Sequence, residues 1–175
     1  MALVFLSLGS NVGNRGRFIA SMARRLKTAL LPPFTLSRLM KTEPVGVAGR
    51  QRWFYNRIAC GRYRGTAQAL LARCREIETL LGRISKKKFA PRTADIDILF
   101  FGNSKVAREN LVVPHPRIRE RRFCLEGLVE LAPNFKMPGT GQTMARLYSR
   151  MKETVRRQKV VFMDMPVSST RGSKR

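Results

Sequence analysis

Acidic residues are scarce in this chain: 11 Asp and Glu stand against 35 Lys and Arg, for a formal charge of +24 and a pI near 11.6. Such a balance attracts polyanions, whether nucleotide, nucleic acid or anionic membrane, and gives only the sign of the partner. Cysteine is sparse as well. Cys60, Cys74 and Cys124 are odd in number, far apart and set in apolar stretches, which argues against a disulfide framework or a zinc site and fits buried thiols in a reducing compartment. Long hydrophobic runs are missing. No segment approaches the roughly 18 apolar residues of a membrane span, and the apolar start Met1 to Leu6 is too short, and lacks the basic lead, for a signal peptide. A cytoplasmic protein with no membrane partner is expected. The chain also has no Gly-Lys-Ser/Thr phosphate loop and no internal repeat, so a bound nucleotide has to be held by arginines and metal. At 175 residues and 43% hydrophobic content the chain suits one core. One domain over residues 1–165 is expected, followed by a disordered basic tail at 166–175.

Against this basic background, two of the three aspartates, Asp95 and Asp97, stand one residue apart inside the apolar run from Thr93 to Phe101. On a strand, side chains at i and i+2 share a face, about 6.6 Å apart at a rise of roughly 3.3 Å per residue. Their repulsion is of order 2 kcal/mol at an effective dielectric of about 20, a cost that a cation beside them offsets. Magnesium takes one or two protein carboxylates and completes its shell with water and phosphate oxygens, so a pair of Mg²⁺ ions with a polyphosphate suits the pair. Five cations, Arg83, Lys86, Lys87, Lys88 and Arg92, precede the aspartates with no acid among residues 79–94. The single histidine, His115, follows in Val113-Pro114-His115-Pro116, and Arg117, Arg119, Arg121 and Arg122 come next around Glu120. Guanidinium forks bind phosphate oxygens in bidentate fashion. A charge run alone is usually a solvated face and a lone histidine is usually structural; together they point to phosphate chemistry.

Periodicity predicts a strand over residues 2–8 and a turn-rich loop from Gly9 to Asn14. A helix follows whose stripe is Phe18, Ile19, Met22, Leu26 and Leu30, stopped by Pro32-Pro33. Strands are predicted over 35–43 and 54–64, with the Pro44 to Gly49 loop between them. A second helix spans Thr66 to Leu81, with Thr66 as cap and Gly82 as stop. The basic loop then leads into the aspartate strand. The order strand, helix, strand, strand, helix, strand predicts an α+β fold, a ferredoxin-like βαββαβ sandwich with an antiparallel sheet. C-terminal helical additions follow. A hairpin is predicted at 105–113, helices at 122–131 and 143–156, and a last strand at 160–163.

Lys88-Phe89-Ala90-Pro91-Arg92-Thr93-Ala94-Asp95-Ile96-Asp97-Ile98-Leu99 resembles the signature of the 6-hydroxymethyl-7,8-dihydropterin pyrophosphokinase family of folate synthesis. Gly9-Ser10-Asn11, Thr42-Glu43-Pro44-Val45-Gly46, Phe54-Tyr55-Asn56, Glu78 with Gly82-Arg83, Phe101-Gly102, Val113-Pro114-His115 and Arg121 with Phe123 match in order and approximate spacing, over about residues 3–135. The resemblance implies transfer of pyrophosphate from ATP to the pterin hydroxymethyl group, with release of AMP. It implies that Asp95 and Asp97 hold two Mg²⁺ ions and that Arg83 and Arg92 are catalytic. ATP contacts fall to Glu78, Lys86, Phe89, Arg92, Ile98, His115 and Arg121. A flat, amide-rich pterin wants aromatic faces and an in-plane side-chain amide; Phe54, Phe123 and Asn56 offer these, and Thr42, Pro44 and Val45 complete the implied pterin site. The chain departs from the family pattern at Ser85, Phe89, Asn110, Val112 and Pro116, where arginine, tryptophan, arginine, threonine and tyrosine are common.

Two other classes use the same ingredients. A basic ferredoxin-like domain could bind RNA, stacking bases on Phe54 and Tyr55, but carboxylates inside a basic surface repel a phosphate backbone unless metal intervenes. A metal-dependent nuclease would use the same acids and cations and leaves the pterin-like set unexplained. The excess of charge, with nine Lys and Arg beyond residue 145 against Glu153 and Asp164, exceeds what a kinase site needs and leaves nucleic-acid association open. By resemblance the chain is expected to be a monomer.

Overall fold

The computed structural model describes residues 1–45, 51–83 and 90–163. The predicted tail and the loop residues Gly46, Ser85, Lys86, Lys87, Lys88 and Phe89 lie outside the described residues.

Strand β1 (Ala2–Ser10) is buried from Val4 onward and is an interior strand of the sheet. Helix α1 (Arg15–Ala29) starts where the Asn14 side chain accepts a hydrogen bond from the Arg17 amide at 3.1 Å, and it buries Ile19, Met22, Ala23 and Leu26. Strands β2 (Leu31–Leu36), β3 (Leu39–Thr42) and β4 (Phe54–Tyr63) come next. Helix α2 (Ala67–Leu80) is capped by the Thr66 hydroxyl, which accepts from the Ala69 amide at 3.1 Å. It ends before Gly82, whose φ of +80° a glycine adopts without steric cost. Strand β5 (Asp95–Phe101), the β6 (Val106–Arg108) and β7 (Leu111–Val113) hairpin, and helices α3 (Arg122–Leu131), α4 (Met144–Ser149) and α5 (Glu153–Arg156) follow, with β8 (Val160–Met163) last.

The main sheet runs β5-β1-β4-β3-β8, every pair antiparallel, with β2 also paired to β4. It is the split βαβ arrangement expected from the element order. One face packs under α1 and α2 through Val4, Leu6, Leu8, Ile96 and Ile98; the other packs under α3 and α4 through Phe5, Ile58, Phe100, Cys124 and Leu128. The three cysteines are free and buried. Burial pushes the Cys74 and Cys124 thiols up to about 12, so both act as small apolar side chains.

Three local predictions are corrected. The strand expected over 35–43 is two strands broken at Ser37, whose hydroxyl accepts from the Ile58 amide at 2.9 Å while its own amide donates to the Ile58 carbonyl at 2.8 Å. Pro32 and Pro33 end the helix as expected but lie within β2, in the register shift between Leu31 and Thr35, where no ladder donor is required of them. The helix expected over 143–156 is two short helices, because Met151 is drawn into the core between them.

Candidate active site

Strand alternation builds the site. Ile96 and Ile98 point under α1 and α2, so Asp95 and Asp97 face the α3 side. In the antiparallel register Asp97 lies opposite Ser7 and Asp95 opposite Gly9, and Gly9 in turn lies opposite Asn56. Small side chains on β1 leave room above the sheet beside the carboxylates. A cavity of about 280 Å³ results, bounded by Asp95, Asp97, Thr42, Phe54, Asn56, Arg92, Arg121 and Phe123, with Ser7, Gly9, Glu43, Val45, Gln51, Ala90 and Arg117 completing the wall. Phe54 enters from the sheet and Phe123 from the first turn of α3, so two aromatic rings from different layers border it. Asn56 is buried and donates through Nδ2 to the Thr42 hydroxyl at 2.7 Å, which orients its amide. Gly9 admits the Asn56 oxygen: a Cβ on Gly9 would lie 3.0 Å from Asn56 Oδ1.

Both carboxylates are cradled by cations. Asp95 receives Arg83 on Oδ1 at 2.9 Å and Arg92 on Oδ2 at 2.8 Å. Asp97 receives Arg121 on Oδ2 at 2.8 Å, with His115 Nε2 at 3.8 Å. The two acids are split in character. Burial and the charge of Asp97 raise the Asp95 carboxyl, against the pull of Arg92 and Arg83. Burial acts the same way on Asp97, but Arg121 and His115 outweigh it and hold that carboxyl low. Burial lowers His115, aided by Arg121 and Arg117 and opposed by Asp97. His115 Nδ1 accepts from the Arg117 amide at 3.1 Å, which puts the proton of a neutral ring on Nε2, towards Asp97. Behind the pair, Glu78 is buried, accepts the Ile96 amide at 2.6 Å and is ion-paired with Arg83. Burial still raises its carboxyl to about 7, with Ile96 and Arg83 pulling down and Asp95 pushing up.

Of the residues singled out from the sequence, Thr42, Val45, Phe54, Asn56, Arg92, Asp95, Asp97, Arg121 and Phe123 line the cavity. Arg83, Glu78 and His115 stand in the shell behind it, contacting the carboxylates or the strand that carries them. Pro44 is on the segment between Thr42 and Val45 but is not in the lining, and the Ile98 side chain lies in the core under α1 and α2. Lys86 and Phe89 lie outside the described residues. Arg117, singled out only as part of the basic cluster, and Gly9, singled out only as part of the Gly-Ser-Asn turn, also line the cavity, whereas Ser7 and Gln51 were missed, since only cross-strand register and loop packing bring them here. Asn11 was missed too. It is buried; its Oδ1 accepts the Arg92 amide at 2.7 Å, its own amide donates to the Arg92 carbonyl at 3.0 Å, and its Nδ2 donates to Gln51 Oε1 at 3.3 Å. Its place in a Gly-Ser-Asn turn was the one available signal.

Among the described residues no group of three or more His, Cys, Asp or Glu could hold a metal. Among the described residues the acidic donor set at the cavity edge facing Arg92 and Arg121 is the carboxylate pair Asp95 and Asp97. Two carboxylates at a cavity edge fit a hard divalent cation that brings water and phosphate oxygens as its other ligands, and do not fit one that needs a closed protein cage.

Residues 5–133 match the family described as 7,8-dihydro-6-hydroxymethylpterin-pyrophosphokinase (HPPK). The chain is 35% identical over 140 residues to a 2-amino-4-hydroxy-6-hydroxymethyldihydropteridine pyrophosphokinase of Methylorubrum extorquens, covering 79% of this chain and 88% of that one. It is 32% identical over 148 residues to the folic acid synthesis protein fol1 of Pneumocystis carinii, covering 85% of this chain but only 20% of that protein. A crystal structure of Plasmodium falciparum HPPK-DHPS with pteroate superposes with a TM-score of 0.67 at 17% identity, covering 89% of this chain and 45% of that one, a likeness of fold. The family match takes in every described residue that lines the cavity, with β8, α4 and α5 beyond it, and on that match the chain belongs to the 7,8-dihydro-6-hydroxymethylpterin-pyrophosphokinase family.

Proposed function

We propose that this chain transfers pyrophosphate from ATP to the hydroxymethyl group of 6-hydroxymethyl-7,8-dihydropterin, and that the cavity over β5 is where it does so. The observation that carries the reading is the joining of two half-sites in one space: an aromatic and amide set (Phe54, Phe123, Asn56) and a carboxylate and arginine set (Asp95, Asp97, Arg92, Arg121).

Stacking of a flat ring between Phe54 and Phe123 supplies area, and the Asn56 amide, with its Nδ2 committed to Thr42, presents Oδ1 to a ring N–H. The segment from Thr42 through Pro44 to Val45 closes the ring edge. That arrangement leaves the hydroxymethyl group towards β5. Its oxygen attacks the β-phosphorus of ATP, the bond from that phosphorus to the oxygen of AMP breaks, and the hydroxyl proton is released. Arg92 and Arg121 meet the phosphate oxygens as bidentate donors, and His115 donates from Nε2. Arg92 and Arg83, the latter held by Glu78, pull the Asp95 carboxyl down against its burial. Asp95 and Asp97 would hold Mg²⁺, which when bound neutralises triphosphate charge and aligns the reacting oxygens. The remaining work of the residues is positioning and exclusion of water.

The same reading makes the described residues part of a single monomeric domain with ATP and the pterin as its partners. No described helix is long and apolar enough to cross a membrane, and a supply of ATP and reduced cysteines suits the cytoplasm. RNA binding or nuclease action in this cavity is not favoured, because neither uses the ring-sized aromatic and amide set.

The test is AMP release from ATP and Mg²⁺ with and without the pterin, run beside Asp95→Asn and Asp97→Asn. Pterin-dependent AMP that falls by about 10³-fold or more in both variants supports the reading. AMP formation independent of pterin, or variants that keep the wild-type rate, would overturn it.

A further inference from the structure

The reaction uses few of the cations that give this chain its +24 charge, and the outward face of α1 carries a set of them in an unusual setting. No acidic residue precedes Glu43 in the sequence, so α1 has none. Arg17, Arg24, Arg25 and Lys27 are all exposed, and none is among the described ion pairs. By contrast, Arg122 on α3 is held by Glu126, and Arg156 and Arg157 by Glu153. At about 100° per residue, Arg17, Ser21, Arg24 and Thr28 fall within a stripe roughly 60° wide, with Arg25 about 40° beyond its edge. The stripe is concave at one point: Ser21, Arg24, Arg25 and Thr28 line a hollow of about 320 Å³. Two arginines and a serine lining one hollow, with no acid on the helix, make a donor-rich wall, the chemistry that phosphate oxygens take. Thr28 braces it from below, its Oγ1 donating to the Arg25 carbonyl at 2.8 Å.

We propose that the outward face of α1 binds the phosphodiester backbone of a nucleic acid, with one phosphate seated between Arg24 and Arg25. The stripe from Arg17 to Thr28 is about 16 Å long at 1.5 Å per residue, alongside which one strand of a duplex presents about five phosphates at 3.4 Å each. No exposed residue of α1 is aromatic, so the face holds the backbone and reads no base. An anionic membrane offers phosphates too, but an interfacial helix needs apolar side chains to insert, and the exposed large apolar side chains among the described residues, Met1, Leu80, Val112, Val161 and Phe162, are all off α1. The face is separate from the cavity. Arg15, which donates to the Trp53 carbonyl at 2.5 Å on the cavity side, is about 14 Å along the helix from Arg24 and Arg25. The chain is thereby a pyrophosphokinase that can sit on nucleic acid with its cavity open.

The experiment is fluorescence anisotropy of a labelled single-stranded RNA and of a labelled DNA duplex across a salt series, with the full chain. It is run for wild type, for Arg24→Glu/Arg25→Glu, and for Arg146→Glu/Arg150→Glu, two exposed arginines on α4 and at its C-terminal cap, outside the hollow. Both doubles change net charge equally. Wild type is expected to show log K falling with log salt at a slope of about −3 on duplex, and the α1 double to bind at least about tenfold more weakly with a slope nearer −1. The α4 double should stay within about threefold of wild type. Whichever of RNA or DNA binds more tightly identifies the natural backbone. Arg24→Ala/Arg25→Ala, which keeps helix propensity, serves the same purpose should the Glu pair not fold, and an unchanged rate of pterin-dependent AMP release reports an intact enzyme. Equal losses in the α1 and α4 doubles would reduce the effect to diffuse charge and overturn the proposal. So would a wild type that binds phosphatidylglycerol vesicles but neither nucleic acid.

Discussion

Thr42→Val isolates one hydrogen bond. Valine matches threonine in shape, so packing is kept while the hydroxyl that accepts from Asn56 Nδ2 at 2.7 Å is removed. Both residues are 4% exposed, so no bulk water replaces the lost acceptor. A buried donor left unpaired costs about 1–3 kcal/mol, and that loss should appear in urea unfolding. The functional consequence is separate. An Asn56 amide no longer tied to Thr42 can rotate and offer its NH₂ where Oδ1 stood, which removes about one ring hydrogen bond, or about 1.4 kcal/mol and a tenfold rise in pterin Kd. ATP affinity should hold, because the arginines and carboxylates that face the triphosphate do not touch Thr42. Pterin titration by its own fluorescence, ATP titration, and urea melts on wild type, Thr42→Val, Asn56→Ala and the double variant form a complete cycle. Pterin affinity in Thr42→Val within twofold of wild type, despite the stability loss, would refute the assignment of Asn56 as the residue that reads the ring.

Asn11→Ala removes the acceptor of the Arg92 amide and the donor to Gln51; kcat for AMP release is expected to fall about tenfold, and by much less in an Arg92→Ala background if Asn11 acts through Arg92. Glu78 has its carboxyl raised from 4.5 to about 7, so the folded state holds its proton more tightly than the unfolded chain. The associated stability is fully present below pH 4.5 and is lost as pH rises through about 7, to the order of 3 kcal/mol. Glu78→Gln should flatten that part of the curve in urea melts from pH 4 to 8, and an unchanged slope would show that Glu78 is not the group responsible. At Gly127 a Cβ would stand 2.3 Å from Ile58 Cγ1, so Gly127→Ala should lower stability by about 1–3 kcal/mol through overpacking of α3 on β4, seen as a lower urea midpoint.

Much of the frame was legible because its signals are local. Thr66 and Gly82 marked the ends of α2 to within a residue, and the apolar pattern of 122–131 gave α3 its bounds. Legibility failed where a tertiary contact overrode a local signal. Ser37 reads as one more strand residue until its hydroxyl is seen to bond the Ile58 amide, and Met151 reads as mid-helix until the core beneath α3 claims it. At the site, the lining residues on recognisable motifs were found, whereas Ser7 and Gln51 carried no chemistry of their own to single them out and Asn11 had only its place in the Gly9-Ser10-Asn11 turn.

The amino-acid sequence by itself determined that Asp95 and Asp97 share a face, since strand pleating needs only the alternation with Ile96 and Ile98. It determined the family, through motifs that span residues 5–133, and the sign of the charge that any partner must answer. Only the tertiary structure decided what stands opposite those carboxylates. Register against β1 set Ser7 and Gly9 beside them and Asn56 one strand further on, and the start of α3 brought Arg121 to Asp97 while Arg83 and Arg92 reached Asp95. The split between a raised Asp95 and a lowered Asp97 follows from that placement. Side-chain alternation depends on neighbours two residues away, whereas burial and opposing charge depend on segments joined across the fold, as Asn11 is to Arg92 across 81 positions of sequence.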